Sequence, residues 1–146
     1  MKRFNVLVGI IAIFDDKLLL LRRSASEKFK PRVWGPPCGK IQFRERLENA
    51  VRRELLEETG LKVNRIRSLV GYSMFPSKQG DDELHNVQIN FVVEVVSPEP
   101  VKLDNSSEAY KWIPISQCES IRLSRYARST IRQGVEFLTA ERTLAR

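Results

Sequence analysis

From Phe4 to Phe14 almost every residue is apolar or β-branched, and a second apolar run, Lys17 to Arg23, follows after Asp15-Asp16. Two such runs around a two-residue acidic turn predict a β-hairpin. The run INFVVEVV within His85 to Val96 is apolar on both faces, which predicts a central strand covered on both sides. Val63 to Met74 is predicted as a strand broken near Gly71, and Glu108 to Ile115 as a short strand ending at Pro114. Helical spacing occurs twice. Leu47, Val51 and Leu55 predict a helix over 47–59, stopped by Gly60. Leu123, Ala127, Ile131, Val135 and Leu138 predict another over 123–138. The polar stretches Ser24 to Arg32, Pro76 to Glu83 and Ser97 to Ser107 are predicted loops. Val33 to Gly39 is a short extended piece stiffened by two prolines. Strands interleaved with two helices imply a layered α/β sandwich. The length of 146 residues suits one domain over 1–146.

Composition narrows the class. Hydrophobic content of 42% and charged content of 29% read as a soluble globular chain. The basic start and apolar run at the N-terminus invite a signal-peptide reading, but no small-residue cleavage site follows. Neither apolar run is long enough to span a membrane, so the expectation is a cytoplasmic protein with no membrane partner. Cys38 and Cys118 lie far apart without metal-ligand spacing and read as reduced thiols. The net charge of +7 is concentrated at the two ends, around a neutral-to-acidic middle. That frame suits an anionic ligand beside a metal-binding acidic patch, and it equally serves solubility.

The stretch RRELLEETG, residues 52–60, poses the chemical question. Glu54, Glu57 and Glu58 stand at i, i+3 and i+4 and are neighbours on one helical face. They also occupy the last turns, where the helix dipole is negative. Each such carboxylate costs about 0.3–1 kcal/mol, and each like-charge pair adds about 0.2–0.5 kcal/mol. A bound cation or arginine pairing can compensate.

The surroundings point to the first. Gly39, Glu45, and then Arg53-Glu54-Leu55-Leu56-Glu57-Glu58-Thr59-Gly60-Leu61 keep a fixed spacing. This pattern resembles the signature of the Nudix hydrolases, and all of its fixed positions are met between Gly39 and Leu61. Weaker likeness extends to the strand pair, to Trp34-Gly35-Pro36-Pro37, and to the stretch from Glu108 to Trp112. The resemblance implies a Nudix-type α/β/α sandwich with a mixed sheet between helices. It implies a metal-dependent pyrophosphohydrolase that cleaves the diphosphate of a nucleoside diphosphate derivative, of ADP-ribose or nucleotide-sugar type. The alternatives are a nucleoside triphosphate pyrophosphatase acting on damaged nucleotides, and a nucleotide- or RNA-binding module with weak catalysis. The implied cofactor is Mg²⁺, with Mn²⁺ as a substitute, and family members often form homodimers.

The resemblance also assigns roles. Glu57 and Glu58 are implied metal ligands, Glu54 a ligand or the base that activates water, and the Gly39 carbonyl a further ligand. Arg53 is implied to hold a glutamate by a bidentate pair, and Glu45 is an outer member of the cluster. Outside the signature, Arg23 and Lys40 are candidates for phosphate contact. Phe75 is a candidate for base stacking or for packing. Glu108 is either an extra ligand or a surface glutamate. Trp34, Trp112 and His85 are read as structural. Arg125, Arg128 and Arg132 form a stripe read as solvated, with no nucleic-acid signature beside it. Pro76 weakly suggests an ADP-ribose pyrophosphatase. Three departures from the family pattern, Cys38, Gln42 and Arg44, fall in the loop before the helix. At Arg44 the turn is expected to need a positive φ.

Overall fold

The structure is a computed structural model that describes residues 1–27 and 31–145. The loop predicted over Ser24 to Arg32 therefore lies partly outside the described residues. In chain order the elements are β1 (Lys2–Phe14), β2 (Lys17–Arg23), β3 (Trp34–Gly35), β4 (Cys38–Lys40), α1 (Leu47–Thr59), β5 (Val63–Gln79), β6 (Asp82–Val95), β7 (Ser107–Pro114), a 3₁₀ segment (Ile115–Ser120) and α2 (Arg125–Leu144).

The seven strands form a mixed sheet in the order β3-β2-β1-β6-β5, with β4 added to β1 and β7 added to β2. β1 runs parallel to β6 and antiparallel to β2 and β4. The predicted hairpin is present, and both turn residues take positive φ, 48° at Asp15 and 60° at Asp16. That is the twist a two-residue hairpin turn requires. β1 and β2 pair only next to this turn, at Ile13↔Leu18 and Phe14↔Lys17. Beyond it they separate. β2 pairs with β7 and β3, while Leu7, Val8 and Gly9 of β1 pair with β4. The sheet forks there, and β4 brings Cys38 and Gly39 into the fork.

Alternation sends successive side chains to opposite faces. Val8, Ile10, Ala12, Leu19, Leu21, Phe91 and Val93 pack with Ala50, Val51 and Leu55 of α1. Ile11, Ile13, Leu18, Leu20 and Val92 pack with Ile131 and Leu138 of α2. The central strands are apolar on both faces because each face carries a helix. Truncating a wholly buried core leucine such as Leu19 or Leu55 to alanine costs about 2–5 kcal/mol.

Two expectations need correction. Pro76 to Glu83 is not a loop: β5 and β6 continue as a hairpin through this stretch, with Pro76 opposite His85 and Gln79 opposite Asp82. Its polar composition reflects exposure, and proline is tolerated because β5 is an edge strand. The second helix begins and ends later than its apolar spacing indicated, from Arg125 to Leu144. Ser124 is its N-cap, accepting from the Ala127 N–H. Both cysteines are free thiols. No helix among the described residues is long and apolar enough to cross a membrane.

Candidate active site

Helix α1 turns Ala50, Val51 and Leu55 to the sheet. Glu54 and Glu58 border this buried face beside β4, and Arg53 and Glu57 stand further out toward solvent. Gly60 ends the helix at φ 73°, and its N–H donates to the Leu56 carbonyl at the C-terminus. Arg53 organises the acidic face. Its Nε donates to Glu45 Oε2 at 2.7 Å and its Nη2 to Glu45 Oε1 at 2.8 Å, a bidentate pair. Nη1 donates to Glu54 Oε1 at 2.8 Å and Glu57 Oε2 at 3.2 Å, and Nη2 also donates to the Lys40 carbonyl at 3.0 Å. Every N–H of the guanidinium thus has an acceptor. The bidentate partner is Glu45, from the turn before the helix, rather than one of the helical glutamates. Glu45 reaches Arg53 because the turn closes on itself, with Gln42 N–H on Glu45 Oε1 and Glu45 N–H on the Gln42 carbonyl. Arg44 sits in that turn at φ 67°, a region where a side chain is strained.

Charge is distributed unevenly over the cluster. Arg53, with the Gln42 N–H, pulls the Glu45 carboxyl down to about 2. Glu54 moves the other way, because burial outweighs its pair with Arg53. Glu58 is pushed well above the usual carboxylate range, first by burial, then by Glu54 and Asp104, and the Cys38 N–H opposes this only in part. Glu58 Oε2 is buried with no hydrogen-bond donor among the described residues. Gly39 lies against Glu54: a Cβ there would fall 2.1 Å from the Glu54 carboxylate. Only glycine permits this approach of backbone to carboxylate. Cys38 beside it is held as a thiol, its pKa raised to about 12 by burial and by Glu58.

Such a donor set fits a hard divalent cation. It is all oxygen, two of its acids are disfavoured as anions where they stand, and one acid oxygen is orphaned. Among the described residues no group of three acidic, cysteine or histidine side chains is placed, as it stands, to hold a metal ion. Mg²⁺ does not need such a group, since it is ordinarily held by one or two carboxylates with water and phosphate oxygens.

A family model, the NUDIX domain, matches residues 3–133. The chain belongs to the NUDIX domain family. Among curated relatives it is 50% identical over 60 residues to the m7GpppN-mRNA hydrolase NUDT17 of Danio rerio, 39% of this chain and 20% of that protein. It is 35% identical over 95 residues to the ADP-ribose pyrophosphatase of Methanocaldococcus jannaschii, 65% of this chain and 53% of that protein. The chain thus spans at most about half the length of these relatives. Among solved structures it is similar to the MutT protein of Methanosarcina mazei Go1, with TM-score 0.77 and 27% identity over 92% of this chain and 96% of the other. The NUDIX domain of Shewanella oneidensis NrtR, complexed with ADP ribose, has TM-score 0.69 at 23% identity over 94% and 89% of the two chains, and shows the shared fold.

Beside the NUDIX helix lies a cleft of about 470 Å³, and Arg23, Lys40, Phe75, Asn86 and Tyr126 are on its wall. Three of the four sequence candidates outside the helix and Gly39 are thereby brought together. Arg23 pairs with Glu27 at 3.2 Å at the rim. Phe75 is stacked on Tyr126, with ring centroids 4.2 Å apart and planes 17° from parallel. Glu108 is not on the wall of this cleft. It sits 3.3 Å from Arg22 and 3.9 Å from Arg32, held on the flank of the sheet. His85 packs on Phe4, and Trp34 packs against the core under Lys111. Of the α2 arginines, Arg128 donates to the Glu119 and Ile121 carbonyls, while Arg125 and Arg132 are exposed.

Sequence reading missed two residues. Tyr126 faces the cleft from the first turn of α2, and only the packing of α2 on β5 could reveal that. Asp104 sits beside Glu58, its N–H 3.3 Å from the Glu58 carbonyl and its carboxylate held by the Ser106 N–H and hydroxyl. Asp104 fell within the loop predicted over Ser97 to Ser107, but the docking of that loop on the end of α1 was not legible.

Proposed function

We propose that this NUDIX protein is a divalent-cation-dependent pyrophosphohydrolase that cleaves the diphosphate of a nucleoside diphosphate derivative of ADP-ribose or nucleotide-sugar type. The observation that carries the reading is the Arg53-organised glutamate cluster, with Gly39 against Glu54 and an orphaned oxygen on Glu58. Glu54, Glu57, Glu58 and the Gly39 carbonyl would hold the cation. When bound, Mg²⁺ supplies charge neutralisation at the diphosphate oxygens. Arg53 keeps the glutamates from separating and fixes the Lys40 carbonyl beside them. Glu54, its proton affinity raised by burial, is placed to take the proton of the attacking water. Arg23 and Lys40 lend positive charge to the cleft for the phosphates, and the Phe75–Tyr126 stack offers a flat apolar surface for a base. Water attacks one phosphorus, the bond to the bridging oxygen breaks, and a nucleoside monophosphate and a second phosphorylated product leave.

Relatives named for ADP-ribose, 8-oxo-dGTP and mRNA-cap hydrolysis support the reaction class and leave the substrate open. The test is a hydrolysis panel with Mg²⁺ or Mn²⁺ and chromatographic identification of products. It spans ADP-ribose, nucleotide sugars, dinucleoside polyphosphates, and normal and oxidised nucleoside triphosphates. The reading expects preferential cleavage of ADP-ribose or a nucleotide sugar between its phosphates. Preference for an oxidised triphosphate would move the protein to the nucleotide-cleaning class, and silence across the panel would refute hydrolysis.

A further inference from the structure

Behind the cleft, one amide is held in an orientation dictated from two sides. Gln88 and Asn90 of β6 meet Ser73 of β5 and Thr130 and Gln133 of α2 in a buried polar network. Gly9 of β1 makes room for it, since a Cβ there would fall 2.3 Å from Asn90 Oδ1 and 2.4 Å from Gln88 Nε2. Both ends of the network close on backbone carbonyls, which can only accept. The Tyr72 carbonyl accepts from Gln133 Nε2 at 2.7 Å, so Gln133 Oε1 is the acceptor for Asn90 Nδ2 at 2.9 Å. Asn90 Oδ1 therefore accepts from Gln88 Nε2 at 2.9 Å. At the other end the Thr130 hydroxyl donates to the Tyr126 carbonyl at 2.9 Å and so accepts from Gln88 Nε2 at 3.3 Å.

Both N–H groups of Gln88 are committed, and its amide cannot turn over without breaking this chain. Gln88 Oε1 is left buried with no donor among the described residues, in a side chain only 2% exposed overall. An orphaned acceptor of this kind is costly unless something that binds satisfies it.

Gln88 lines an inner cavity of about 50 Å³, which shares Arg23, Cys38 and Tyr126 with the outer cleft. Its other walls include Leu21, Trp34, Pro36 and Ala127. Glu58 and Thr130 are on the wall as well. The apolar side chains beside them offer no oxygen to a hard cation and fit the edge of a flat heteroaromatic ring. The volume admits an amino group and the ring atoms that bear it, with the rest of the ring in the outer cleft beside Phe75 and Tyr126.

We propose that Gln88 is a specificity-determining residue that selects nucleobases carrying an exocyclic amino group, whose N–H it accepts at Oε1. A keto group at the same place would set oxygen against oxygen. The proposal rests on the nucleotide reading of the cleft.

Equilibrium dialysis of the full chain against AMP and IMP, and against CMP and UMP, tests it without requiring turnover. Wild type is expected to bind the amino member of a pair at least about tenfold more tightly. Gln88→Met should bring that ratio near one. Ser73→Ala, which cuts the network away from the inner cavity, should keep it. Gln88→Leu, which also removes the acceptor oxygen, should lose the preference too and serves if the methionine variant does not fold. The proposal is overturned if wild type does not discriminate, if no mononucleotide binds, or if a folded Gln88→Met or Gln88→Leu variant keeps the ratio. Failure of the hydrolase reading shows separately, as silence in the substrate panel with the binding preference intact.

Discussion

Glu58 is a carboxylate folded into a place that opposes its charge. Burial, Glu54 and Asp104 all raise its pKa, so the native state holds its proton more tightly than the unfolded chain does. Without a divalent cation this acid favours folding at low pH. The benefit fades as pH rises through the ordinary value of 4.5 toward the raised native value. Glu58→Gln removes the charge. It should melt at a higher temperature than wild type at neutral pH in EDTA, and its melting temperature should fall less as pH rises. With Mg²⁺ the order should reverse, because only wild type gains a ligand. A wild-type melting temperature indifferent to Mg²⁺ would contradict the assignment of Glu58. The spacing of Glu54, Glu57 and Glu58 was legible in the sequence because i, i+3 and i+4 fix a common face. The partner of Arg53 was not. Glu45 wins the bidentate contact through the fold of the 42–45 turn, which spacing along a helix does not encode.

Helix α1 works as a site because β4 lies against it. Gly39 is where they touch, and Gly39→Ala would drive a methyl group into the Glu54 carboxylate. The carboxylate ends a flexible side chain and can move aside, so the change falls on its position more than on the fold. We expect little change in urea unfolding together with a large loss of turnover, and full activity would show that Glu54 need not stay where it is. Arg44 is the opposite case. Its φ of 67° is strained for arginine, and Arg44→Gly should stabilise the protein by about 1 kcal/mol in the same assay. The element pattern shows where sequence reading ends. β1, β2, α1 and the inner part of β6 were legible because burial makes their apolar periods plain. The outer half of the β5–β6 hairpin was not, since an exposed edge strand carries polar residues and even Pro76 without penalty.

Across the whole molecule, the forked sheet sets an acidic helix face beside a cleft whose wall carries Arg23 and Lys40. The sequence hinted at this division in its basic ends and acidic middle, but charge along a chain does not say which residues meet. Tyr126 and Asp104 arrive from distant segments, and Glu108, near in pattern, is carried to the flank. The proposed function stands on the α1 glutamates holding a catalytic divalent cation. Its most direct test is the Mg²⁺ dependence of ADP-ribose hydrolysis by wild type and Glu57→Gln side by side, with AMP and ribose 5-phosphate identified as products. Glu57 is exposed and, among the described residues, pairs with Arg53 at 3.2 Å, so its substitution should leave the fold intact. Turnover in wild type should depend on Mg²⁺, and the variant should lose at least a hundredfold, about 2.7 kcal/mol. Wild-type turnover that ignores Mg²⁺, or full activity in Glu57→Gln, would contradict this role of the glutamates.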